Sequence, residues 1–198
     1  MTVLDKPLCP WQPLYPRLLG DGFDKLPSVI RAVHAAAPRL VVTGTSTVTE
    51  GSFWPSRALR RLLRLPAPGS RLPLSVVFET RDDREILSRH YPGATLTTLQ
   101  MAAGRSGSGL LCEKFGPFSL IIQLEARAHS LSFTLIDLRC LGISVPRWLR
   151  PKLTARESAD DGRYHFFVRI DVPGLGRLIQ YQGCLDVPGG AAPAIAGA

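Results

Sequence analysis

From Cys112 to Leu185, apolar side chains return at every second position through several runs broken by short turn signals. A chain patterned that way buries one face as a sheet and leaves the other wet. Phe118, Leu120, Ile122, Leu124 and Ala126 alternate with Ser119, Gln123, Glu125 and Arg127, and Ile121 is the one apolar residue on the second face. Tyr164, Phe166, Val168, Ile170 and Val172 alternate with His165, Arg169 and Asp171, after Asp161-Gly162, a dipeptide that favours a tight antiparallel hairpin. Leu153, Ala155 and Glu157 form the strand before that turn, and Leu178 to Leu185 the strand after Pro173-Gly174-Leu175-Gly176.

The first half adds more strands and the helices. Leu14 to Ala37 is patterned as two short helices divided at Gly20-Asp21-Gly22, with Pro27 in the first turn of the second, where its missing amide costs nothing. Leu40 to Val48 is rich in Val and Thr, as strands are, and Gly44 and Ser46 leave room on one face for a close neighbour such as a helix. Leu74, Val76, Phe78 and Thr80, then Leu87, Arg89 and Tyr91, make a hairpin around Asp82-Asp83, and Leu96 to Met101 a further strand. It ends at Gly104 to Gly109, a flexible loop that lacks the order and the strand-to-helix context of a phosphate-binding glycine loop. In Leu131 to Cys140 the face of Leu131, Phe133 and Leu135 also carries Asp137 and Arg139. Gly142 to Pro151 is an irregular connection with Trp148 as its anchor.

The pattern predicts an α+β, mainly β fold: a curled antiparallel sheet, barrel or half-barrel, with two or three helices from the N-terminal third. At 198 residues one sizeable core is the economical arrangement. Residues 1–12, with several prolines, read as an extended lead-in, 13–187 as a single β-rich domain, and 188–198 as a disordered tail.

A formal charge of +8 and a pI near 9.9 raise nucleic acid or an anionic membrane as partners. The excess rests on arginine in a chain also rich in Ala, Gly and Pro, which is what a high-GC coding sequence produces, so nucleic acid is disfavoured. The basic stretch Pro55 to Leu65 sets Leu59, Leu62, Leu63 and Leu65 against Arg57, Arg60, Arg61 and Arg64. Such a helix can lie on a membrane surface, but leucines in the core and arginines in water is the favoured reading.

Cys9, Cys112, Cys140 and Cys184 are too widely spaced for a zinc or redox motif, and no histidine pair has metal-ligand spacing, so neither metal nor cofactor is implied. Without a basic start followed by an apolar stretch, or a run near the ~20 apolar residues that span a bilayer, the expected location is cytoplasmic.

Parity also carries polar groups inward. Arg89 shares a face with Leu87 and Tyr91, Glu157 with Ala155, and Tyr181 with Ile179 and Gly183, while Glu113 precedes Phe115-Gly116-Pro117. Arg89, Tyr91, Glu113, Glu157 and Tyr181 are therefore the candidate ligand-binding residues. Inside an apolar cavity they would orient a carboxylate or carbonyl; otherwise they form a buried ion pair that fixes register.

Phe23-x-x-x-Pro27, Leu111-x-Glu113-x-Phe115-Gly116-Pro117, Gly142 through Pro146-Arg147-Trp148-Leu149-x-Pro151, Glu157 with Asp161-Gly162, and Tyr181-x-Gly183-x-Leu185 together resemble an uncharacterised bacterial family, domain of unknown function 4166. The resemblance runs from about Leu14 to Val187. It implies that such domains are often joined to a saccharopine-dehydrogenase-like or short-chain-dehydrogenase-like NAD(P)-binding domain. Three functions follow in order: binding of an apolar or amphipathic small molecule; docking, as an accessory domain, on an NAD(P)-dependent oxidoreductase; and catalysis with Glu157 as base, Arg89 as anion clamp and Tyr181 as donor.

Overall fold

A computed structural model describes residues 13–36 and 38–188, so the lead-in at 1–12 and the tail from 189 onward lie outside the described residues. Two short helices, α1 (Leu14–Leu19) and α2 (Ser28–His34), flank a 3-10 turn (Gly20–Lys25). Strand β1 (Arg39–Glu50) and helix α3 (Trp54–Leu62) follow. The remaining strands are β2 (Gly69–Arg81), β3 (Arg84–Tyr91), β4 (Ala94–Ala102), β5 (Leu110–Phe115), β6 (Phe118–Arg127), β7 (Ser130–Cys140), the two-residue β8 (Ile143–Ser144), β9 (Lys152–Asp160), β10 (Arg163–Val172) and β11 (Gly176–Asp186).

Every neighbouring pair is antiparallel. β6 pairs with β7, β7 with β9, and β11 returns to β1, so the sheet closes into a ten-stranded barrel with β8 appended outside the ring. Closure leaves little unpaired edge, confined to β8 and the first residues of β9 beside it. At the β1–β11 seam the backbones come so close that a Cβ on Gly44 would overlap the Cys184 carbonyl, and one on Gly183 the Thr45 carbonyl. The room expected beside Gly44 is thus taken by a strand, not a helix. The Asp161-Gly162 turn has positive φ at both residues, as a tight hairpin requires.

An up-and-down barrel puts alternate connections at the same end. One end carries α3, the β3–β4 and β5–β6 turns, the 141–151 connection and the β10–β11 turn. The other is plugged by α1, the 3-10 turn and α2, which bury Leu14, Leu18, Ile30 and Val33. The glycine-rich loop ties this plug down: Gly107 and Gly109 donate backbone N–H to the Arg17 and Leu18 carbonyls (3.0 and 2.8 Å), and Ser106 Oγ also donates to Arg17. Those carbonyls close α1 and have no partner within the helix.

Three local expectations are corrected. Asp137 and Arg139 do not continue the inner face, because β7 contains a bulge: Leu135 opposes Ile122, Asp137 opposes Ile121, and Ile136 is the extra residue. The bulge inverts the alternation, so Leu138 is buried while Asp137 pairs outside with Arg150 (2.7 Å). Trp148 does not anchor its connection, being 74% exposed; Arg150 does, donating to the carbonyls of Val145 (2.8 Å) and Ile136 (2.9 Å). On α3 the faces are mixed: Leu62 is 78% exposed, while Arg60 is buried and ion-paired to Glu50 (2.6 Å). Arg60 also donates to the Leu65 and Pro66 carbonyls just beyond the helix (2.9 and 3.0 Å), a role that only a long, forked donor can fill.

Candidate functional site

Between the helical plug and the α3 end lies a cavity of about 180 Å³. Its wall comes from inward positions of nearly every strand, including Val76, Phe78, Leu87, Phe133, Val168 and Ile179. Leu65, Phe115, Leu153 and Ile170, which line it as well, lie close to the α3 end of the ring, so the apolar lining runs out toward that end.

Arg89, Tyr91, Glu113, Glu157 and Tyr181 all face this cavity. They form two groups. In the first, Arg89 Nη2 stands 3.8 Å from Glu113 Oε1, a loose ion pair, and no hydrogen bond to the guanidinium is made among the described residues. Burial pushes the Tyr181 hydroxyl up to about 12 even though the Arg89 cation opposes the shift, so it is a donor at any working pH. Burial also raises Tyr91, whose hydroxyl donates to Ser46 Oγ at 3.5 Å. Burial works against the Arg89 cation, and the Glu113 carboxylate opposite it helps to keep it charged.

The second group joins the barrel to its plug. His34 Nε2 lies 2.7 Å from Glu157 Oε2, with His34 fully buried. Burial works against the imidazolium, but the Glu157 carboxylate outweighs it and raises His34, so the contact is an ion pair wherever the pH lies below that raised value. The His34 ring stacks on Tyr15 (centroids 3.7 Å apart) and meets Phe78 edge-on. Tyr15 donates to Gln100 Oε1 at 3.1 Å, and burial, together with the nearby Glu157 carboxylate, raises the Tyr164 hydroxyl. Next to this group Glu85 is buried, its Oε1 without a hydrogen-bond partner among the described residues; burial pushes it up to about 7, with His34 pulling the other way.

Arg89 thus meets Glu113, and Glu157 meets His34, with Tyr164 nearby. No direct hydrogen bond joins Arg89, Glu157 and Tyr181 among the described residues, although all three line the same cavity. His34, Tyr15, Glu85, Thr98, Gln100 and Tyr164 complete the polar interior, and all were missed as site residues. The signals were present in part. Glu85 has the parity of Leu87 and Arg89, Thr98 and Gln100 that of Leu96, and His34 follows Ile30 by one helical turn. Tyr15 gave none, since its partner is 85 residues away.

No curated protein and no solved structure matches the chain at a significant level. A family model does, over residues 26–185, which takes in every barrel strand and the second plug helix. The chain belongs to the family described as Domain of unknown function (DUF4166).

Proposed function

We propose that the barrel binds an apolar or amphipathic small molecule in its cavity, polar end toward Arg89 and apolar end toward the α3 mouth. The observation that carries this is the pairing of an apolar wall with the inward Arg89 guanidinium, whose one carboxylate contact among the described residues is 3.8 Å long. A buried arginine normally holds its partner in a short, forked contact. Here its remaining donors, with the Tyr181 hydroxyl beside them, are disposed toward an incoming acceptor. A cavity near 150 Å³ lined by aliphatic and aromatic side chains admits a benzene-sized molecule. This one is slightly larger and takes a ring or a short chain, with longer tails continuing past Leu153 and Ile170.

The test is titration with dansyl-undecanoic acid and with its methyl ester. Saturable binding of both is expected, with Arg89→Met weakening the acid by about tenfold and the ester little, because only the acid loses a charge-assisted hydrogen bond. Val168→Trp, which fills the cavity, should abolish both while circular dichroism remains that of the parent. Absence of saturable binding to the folded parent would reject the reading.

A further inference from the structure

The large apolar side chains left in water are not spread evenly over the surface. Phe53, Trp54 and Leu62 are on or beside α3, and Leu141, Ile143, Trp148 and Leu149 are in the connection from β7 to β9. Both segments belong to the same end of the barrel, on different sides of the ring. Only Val41 and Ile136 are exposed on the wall among the described residues. On α3 the exposed residues Trp54, Ala58 and Leu62 follow one another at a spacing of four, a second apolar stripe flanked by Arg57 and Arg61.

Charge is polarised the same way. At the α3 end the outer carboxylates are Glu50, Asp137 and Asp171, and each is held by arginine: Arg60 and Arg57, Arg150 and Arg139, and Arg169. Arg61, Arg64, Arg71 and Arg147 are exposed there with no carboxylate partner among the described residues, and Lys152 lies across from Asp171. The turns and strand ends of the opposite end carry Asp82, Asp83, Asp160, Asp161 and Asp186 together with Arg81, Arg84, Arg127 and Arg163, so charge there is balanced rather than basic.

We infer that the α3 end docks on an anionic lipid surface, with the cavity mouth facing the bilayer. Tryptophan is favoured at the headgroup level, where its ring is half in hydrocarbon and its N–H in water. Unpaired arginines next to apolar side chains that can enter the acyl boundary are what an anionic interface selects. Two apolar groups on different sides of a ring also suit a planar partner, which can take both at once. The inference stands apart from the ligand reading, because vesicle binding and probe binding are read separately.

The experiment is co-sedimentation of the full chain with phosphatidylcholine vesicles, with and without phosphatidylglycerol, at low and moderate salt. Binding is expected only to the phosphatidylglycerol vesicles, weakening as salt screens the arginines. Trp54→Ser with Trp148→Ser, and separately Arg61→Gln with Arg147→Gln, should each weaken it at least about tenfold. These residues are exposed, so both variants should still bind dansyl-undecanoic acid like the parent. Val41→Ser with Ile136→Ser, an equal loss of exposed apolar surface on the wall, should bind vesicles as the parent does. Equal binding to both vesicle types, or loss in the wall variant alone, would overturn the inference. So would a concentration-dependent dimer that the tryptophan variant dissolves, without any vesicle binding, since the face would then belong to a second copy.

Discussion

Glu85 and His34 are ionisable groups enclosed by a hydrophobic barrel, and both make the fold sensitive to pH in the same direction. Glu85 has a folded pKa of about 7 against an ordinary 4.5, so between those values the folded state holds a proton that the unfolded chain has released. Stability therefore falls as pH rises through that window, by about 3 kcal/mol in total. Glu85→Gln, a permanent mimic of the protonated acid, should remove this slope; urea midpoints of parent and variant near pH 5 and pH 8 check it. His34 is raised above its ordinary 6.5 by Glu157, so its contribution is full below that value and is lost as pH rises through the folded pKa. Glu157→Gln leaves a buried imidazole without its carboxylate and should cost about 3 kcal/mol near pH 6, less at higher pH, by the same measurement. At this scale the sequence showed that Glu157 points inward, because strand parity is local. It did not show that the partner is His34, 123 residues earlier, rather than Arg89.

Among the elements, α3 and the β1–β11 seam depend most on single side chains. Arg60 ties the helix to Glu50 and to the carbonyls of Leu65 and Pro66, so Arg60→Ala strands two acceptors and leaves Glu50 with the longer Arg57 contact at 3.4 Å. A loss of about 2 to 4 kcal/mol in denaturant unfolding is expected, against almost none for the exposed Arg61→Ala. Gly44 faces the Cys184 carbonyl with no space for a methyl group, so Gly44→Ala should force the closing strands apart at a cost of about 3 kcal/mol. Native-state hydrogen exchange should then be fastest at the β1 and β11 amides. Element types and most boundaries were legible from periodicity and turn residues, including the hairpins at Asp82-Asp83 and Asp161-Gly162. The packed side of α3 was not, since leucines and arginines alternate around so short a helix. Nor was the bulge at Ile136, which only the register against Ile121 and Ile122 reveals.

Taken whole, the molecule is a barrel with one plugged end and one apolar, basic end. The plug is held by aliphatic contacts at its centre, where Leu18 is fully buried. Leu18→Ala should cost about 3 kcal/mol. By loosening the floor of the cavity it should also speed release of bound dansyl-undecanoic acid, followed by stopped-flow fluorescence. Among the described residues no helix is long and apolar enough to cross a membrane, so any lipid contact by α3 is made at the surface. By itself the sequence determined most of the strands and their turns, though not β5, and which side chains look inward up to the bulge in β7, because a period of two is a property of each segment's own backbone. Only the tertiary structure decided that the sheet closes, that Arg89 meets Glu113 while Glu157 meets His34, and that the exposed tryptophans share an end with the unpaired arginines. Those outcomes depend on which strand lies beside which around the ring, and contacts across so many residues leave no mark in any local pattern.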